Sequence, residues 1–251
     1  MTTSSLVLAA HGTRSAWGHA LTLRLADRVA ALACASVDVG VGFVDVREPA
    51  LAQVLARAPH PPLVVPLFLS TGAHVRHDVR AAARGRQGTV VLPMLGARSV
   101  IATLHRRELE RLAGTDPRPT SPVALLAAGS ADPRARTDVT DLAALLSRDT
   151  GRVVRAGFLS GPGPTAAEAL AADRSASGSR RTPAGVVLTH LLAPGHFASK
   201  ARTLADDVGL PCAAPLLESP EGFEAIAQDI LDQRTGSRLT PRWKLERNHV
   251  G

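Results

Sequence analysis

The sequence predicts an α/β protein of two duplicated doubly wound lobes, each a four-stranded parallel sheet flanked by helices. Three observations carry that expectation. Short apolar runs without polar alternation, as in strands buried on both faces, alternate with longer segments of helical spacing. The alternation runs twice, on either side of the linker GTDPRPTSP at Gly114–Pro122. Landmarks also recur: Gly42-Phe43 leads to Pro49 as Gly157-Phe158 leads to Pro164, at an offset of 115, and His74 has a counterpart in His196, at an offset of 122.

In the first half, Leu6–Ala10 reads as a strand, Ser15–Ala35 as a helix, Val37–Val44 as a second strand and Pro49–Arg57 as a short helix opened by its proline. Val64–Leu69 is the third strand, followed by a helix over about Ala73–Arg84, a strand at Thr89–Leu92 and a helix at Ser99–Leu112. The second half has strands at Val123–Ala127, Val153–Leu159, Val186–Leu192 and near Cys212. Its helices fall at about Asp138–Arg148, Thr165–Ala172, Phe197–Val208 and Glu221–Leu231. The lobes are expected at 1–116 and 121–234, with a cleft between them lined by strand carboxyl ends. Ser175–Thr182 reads as a polar loop insertion and 235–251 as a loosely held tail.

A formal charge of +7 and a pI near 11.0 call for an anionic partner: nucleic acid, a membrane surface or a polyacidic small molecule. Nucleic acid is disfavoured, because Tyr is absent, only five Phe and two Trp are present, and no basic stripe is interleaved with aromatics. No run reaches the roughly 18 apolar residues of a membrane span, and the amino terminus lacks the basic stretch of a secretory signal. Cys34 and Cys212 have no CxxC partners, which argues against a disulfide framework or a zinc site. A cytoplasmic protein is expected, and a monomer, since a duplicated chain supplies both lobes by itself.

Chemistry concentrates at Val64–Asp78, VVPLFLSTGAHVRHD, where an apolar strand breaks off into Ser70, Thr71 and Gly72. A helix starting near Ala73 puts His74, His77 and Asp78 at i, i+3 and i+4, on one face. A second strand, Leu6–Ala10, ends directly in His11. With strand order 2-1-3-4, strands one and three lie side by side and their connections leave to opposite faces, opening the crevice where ligands bind. His11 and His74 then face each other across it, and Asp45, just past strand two, borders the same edge. Two neutral imidazoles near a carboxylate suit a borderline divalent metal such as Fe, Co, Ni or Zn, and imidazole also accepts protons.

Three blocks, LVLAAHGTR at Leu6–Arg14, GFVDVREPAL at Gly42–Leu51 and VPLFLSTGAHVRHDV at Val65–Val79, resemble the class II tetrapyrrole chelatases, specifically the sirohydrochlorin ferro- and cobaltochelatases. The resemblance in layout covers about residues 5–234. It implies ATP-independent insertion of Fe²⁺ or Co²⁺ into sirohydrochlorin, in siroheme or cobalamin biosynthesis, with the metal as substrate and no permanently bound cofactor. It also implies that His11 and His74 handle the metal and act in catalysis with Asp45, which stands where the family usually has glutamate. Sirohydrochlorin carries many peripheral carboxylates, so Arg14 and Arg76, adjacent to the motifs, are the first candidates to bind it. The second half departs from the pattern: Ala127-Ala128-Gly129 stands where the first half has Ala10-His11-Gly12. His190 and His196 remain there as another pair, but the first-half pair fits the family better.

Two readings of other classes compete. A non-catalytic Co²⁺ or Ni²⁺ carrier fits the repeat and the histidines, though the chain lacks a His-rich tract. An oxidoreductase would use GPGPTA, Gly161–Ala166, which matches G-x-G-x-x-A between a strand and a helix. Its two prolines remove amide donors that a pyrophosphate needs, and no acidic partner follows about 20 residues on.

Overall fold

The computed structural model describes residues 4–33, 37–72, 74–114, 121–171 and 185–234, with 74–76 described by their backbone. The expected insertion at 175–182, the tail at 235–251 and Cys34 lie outside these residues. By packing, the described chain divides into two units: its residues up to Ile101 together with those from Leu217 on, and its residues between Ala102 and Leu216.

In unit 1, strands β1 (Ser4–Ala10), β2 (Val37–Phe43), β3 (Pro62–Pro66) and β4 (Val90–Val91) form a parallel sheet in the order β2-β1-β3-β4. This is the order expected from the sequence. Helix α1 (Ala16–Leu32) connects β1 to β2, and α2 (Leu51–Arg57) connects β2 to β3. Because successive side chains on a strand point to opposite faces, Val7 and Ala9 pack with Leu51 and Leu55 of α2, while Leu6 and Leu8 turn the other way. All four are buried, which is why β1 shows no polar alternation.

After β3 the chain enters a π-helical turn, His74–Val79, that runs into the short helix α3 (Arg80–Arg84). The expected α-helix over Ala73–Arg84 is corrected here. Bonding from i to i+5 widens the turn, so positions 74 and 77 do not stack as they would in an α-helix. Helix α4 (Ser99–Ala113) follows β4 and a 3₁₀ turn at Leu95–Ala97.

In unit 2, β5 (Val123–Ala127), β6 (Val154–Phe158) and β7 (Val186–His190) form a parallel sheet in the order β6-β5-β7. Val123, Leu125 and Ala127 pack against α5 (Pro133–Thr150) and against Leu109 and Leu112 of α4. Ala124 and Leu126 face α6 (Ala166–Leu170) and α7 (His196–Asp206). The fourth strand expected near Cys212 is reduced to a single bridge between Val187 and Cys212. Pro211 contributes its carbonyl to the Val187 amide at 2.9 Å but has no N–H to return, so a ladder cannot extend through it.

The last helix, α8 (Pro220–Arg234), packs on α1 in unit 1. Arg28 grips Glu224 through Nε at 2.9 and 3.1 Å, and Trp17 Nε1 donates to Glu218 at 3.1 Å. Arg98, just before α4, donates from Nη1 to Asp229 of α8 at 2.6 Å and from Nη2 to the Pro93 carbonyl at 2.9 Å. Both charged partners are buried. Burial pushes the Arg98 guanidinium below its ordinary range and the Asp229 carboxyl above its own; in each case the attraction between the partners opposes the shift without cancelling it. The packing units thus differ from a division at the linker, because α4 contributes to the core of unit 2 and α8 to unit 1.

Candidate active site

The edge of unit 1 at the carboxyl ends of its strands is built from two loops in direct contact. β1 gives way to His11, which is half-buried, with Nδ1 lying 3.3 Å from the Gly12 carbonyl. A carbonyl only accepts, so this contact is a hydrogen bond in the tautomer that carries its proton on Nδ1. Gly12 adopts φ +94, and a Cβ there would collide with the Asp45 carbonyl, so this close approach requires glycine. The ladder continues past the strands: the Val44 amide reaches the Ala10 carbonyl at 3.0 Å, and the Asp45 amide reaches the His11 carbonyl at 3.2 Å. Sequence residues 11 and 45 are therefore brought together at the sheet edge.

Asp45 is exposed and turned onto its own loop, with Oδ1 accepting from the Val46 amide at 2.7 Å. Val46 has φ 65, a left-handed conformation costing a β-branched residue on the order of 1–3 kcal/mol. Arg47 then reaches back, donating from Nε to the Thr13 carbonyl at 2.7 Å and from Nη2 to the Arg14 carbonyl at 3.0 Å. Arg14 itself is exposed beside these loops. The backbone of His74 opens the π-helical turn after β3, the neighbour of β1, and Arg76 lies within that turn. The side chains of both lie outside the described part, while His77 and Asp78 are exposed. Among the described residues, no three His, Cys, Asp or Glu side chains gather into a group that could hold a metal.

The second unit repeats the backbone of this edge without its chemistry. Ala128 occupies the position of His11, Gly129 (φ +98) that of Gly12, and Ser160 that of Asp45. The left-handed position of Val46 is taken by Gly161, φ 73. The Gly161–Ala166 turn leads into α6 with its helix start already satisfied, since Thr165 accepts from the Glu168 amide at 3.2 Å and Glu168 from the Thr165 amide at 2.6 Å.

His190 and His196 have different neighbours in the structure. His190, buried at the end of β7, meets Nε2 of His105 through its Nδ1 at 3.0 Å, while His196 is exposed with its ring 5.3 Å from that of Phe197. His105 escaped the sequence reading although it sits between Ile101 and Leu109 on the apolar stripe of α4. Burial, and after it the neighbouring His190, holds His105 well below the ordinary imidazole range. The unfolded chain therefore takes up a proton near pH 6.5 that the folded one refuses, and stability falls as pH drops through that value. We expect wild type to lose about 1 kcal/mol through this group between pH 7 and 5.5, and His105→Gln to flatten that slope in urea unfolding. Equal slopes for the two proteins would count against it.

The two units share a βα core of strand order 2-1-3, which a fourth strand extends in the first copy, and solved structures share this fold. SirB from Bacillus subtilis with Fe³⁺ matches 96% of this chain over 100% of its own, at 20% identity and a TM-score of 0.69. The sirohydrochlorin chelatase SirB from Bacillus subtilis subspecies spizizenii in complex with cobalt matches 95% of this chain and 99% of its own, at 19% identity and 0.66. CbiX, the terminal enzyme for siroheme biosynthesis in denitrifying bacteria, matches 91% and 98%, at 23% and 0.62. At these identities the likeness is one of fold. No curated protein sequence matches. Residues 5–112 match the family model CbiX. That segment resembles the CbiX family, and the chain as a whole shares the fold of the SirB and CbiX structures.

Proposed function

We propose that this protein inserts Fe²⁺ or Co²⁺ into sirohydrochlorin without ATP, as a lyase of siroheme or cobalamin biosynthesis. The observation that carries the reading is His11, held at the end of β1 against the Asp45 loop, in the segment that matches CbiX. In metal insertion one M²⁺ replaces two pyrrole N–H protons, so the ion must shed water and two protons must leave. A neutral imidazole that donates from Nδ1 to Gly12 offers Nε2 as a base or a passing ligand. His74 is the second metal-handling group in this proposal, and Asp45 completes the edge as the shorter counterpart of the family's glutamate. Arg14 and Arg76 bind peripheral carboxylates of the macrocycle by charge-assisted hydrogen bonds.

The same reading takes the metal as substrate and the enzyme as a cytoplasmic monomer. Among the described residues no helix is long and apolar enough to cross a membrane. The deciding test mixes purified protein with sirohydrochlorin and either Fe²⁺ or Co²⁺ and follows the absorption of the macrocycle. A rate above the spontaneous one supports a chelatase. Metal binding without acceleration would favour a carrier.

A further inference from the structure

We propose that Arg47 is a positioning residue that bolts the His11 loop to the Asp45 loop and so fixes which nitrogen of His11 is basic. The inference rests on the chelatase reading for its kinetic consequence but not for its structural one. Arg47 is the only side chain described that runs from the Asp45 loop to the Thr13 and Arg14 carbonyls, with its planar fork spanning both at 2.7 and 3.0 Å. Those carbonyls directly follow Gly12, whose own carbonyl faces His11 Nδ1 at 3.3 Å and so favours the tautomer protonated there. The bolt is held at a cost, since the turn that aims Arg47 places Val46 at φ 65.

The second unit shows what the bolt adds. At the constant offset of 117, Ser130 and Ala131 stand for Thr13 and Arg14, and their carbonyls also receive a guanidinium. It comes from Arg136, in the first turn of the helix that the same loop enters, and reaches both at 3.1 Å. Pro162, the counterpart of Arg47, has no donor, and Gly161 makes the left-handed turn without strain. Both loops need their carbonyls satisfied. In unit 2 the tie across is made by Ser160, whose Oγ donates to the Ala128 carbonyl at 2.7 Å. The guanidinium comes from across in unit 1, where a histidine and an acid are present and Val46, at positive φ, delivers it.

The test separates positioning from mere support. Arg47→Ala is expected to lower turnover in Co²⁺ insertion at least tenfold, with KM for sirohydrochlorin unchanged within twofold. Two-dimensional ¹H–¹⁵N spectra of the imidazoles should show His11 passing from the Nδ1–H tautomer to a mixture. The double variant His19→Arg/Arg47→Ala transplants the local arrangement of unit 2, since position 19 corresponds to 136. It should recover the melting temperature but neither turnover nor tautomer, and it carries the test if Arg47→Ala alone does not fold. Wild-type tautomer populations in these variants, or turnover restored together with stability in the double variant, would overturn the proposal. If wild type fails to accelerate chelation, the functional reading falls while the tautomer spectra still decide the role of Arg47.

Discussion

Replacing His11 by alanine should reduce metal insertion by about 10²–10⁴-fold, the range expected when a positioned acid–base group is removed. Alanine keeps the small turn at Gly12 and the two main-chain bonds to Val44 and Asp45, so the edge of the sheet should survive. The loss should appear in kcat more than in the affinity for sirohydrochlorin, which Arg14 and Arg76 supply in this proposal. His196→Ala, at an exposed ring in the second unit, should stay within about twofold of wild type. Chelation abolished by His196→Ala but intact in His11→Ala would place the site in the second half.

The largest stability effect is expected at Arg98 and Asp229. Removing either partner leaves the other as a buried charge without its counter-ion, at a cost of about 3–5 kcal/mol. Against the 5–15 kcal/mol of a typical domain, that brings Arg98→Ala or Asp229→Ala close to unfolding at moderate temperature. The double replacement Arg98→Met/Asp229→Leu removes both charges and both desolvation penalties, and should return stability to near wild type. Urea midpoints on the three variants decide it; a single variant losing less than about 1 kcal/mol would show that water reaches the pair.

The strands of both sheets and the order of the first were legible because buried parallel strands are written as short apolar runs and the duplication repeats their landmarks. That His11 and Asp45 meet at one sheet edge was legible because each directly follows such a run. The π-helical turn at His74–Val79 was not, since one widened turn leaves hardly any trace in apolar spacing. The early start of α5 had a signal that went unused: Asp132 caps the helix by accepting from the Arg134 amide at 2.9 Å, with Pro133 in its first turn. Arg47 reads in sequence as one more arginine in an arginine-rich chain, because its partners are backbone carbonyls with no residue identity. His105, Arg98 and Asp229 all lie where an apolar stripe or turn buries them, and a polar residue on such a stripe is a prompt to look for its partner. Amphipathic spacing in α4 and α8 tells that one face is buried but not against which unit.

That last point bears on the order in which the molecule is made. Unit 1 is begun by the first residues and finished by α8, so all of Ala102–Leu216 leaves the ribosome before the helix that covers α1 exists. At translation rates of 5–20 residues per second the interval is on the order of ten seconds, long compared with the microseconds in which a helix forms. During it, Trp17, Arg24 and Arg28 of α1 lack their partners Glu218, Phe223 and Glu224, and Arg98 waits for the carboxylate of Asp229. Unit 2, contiguous in the chain, meets no such delay. The nascent half that carries His11 is thus the one most exposed to chaperones and proteases, and a chain stopped just short of α8 would hold every residue proposed for catalysis on a unit that cannot close.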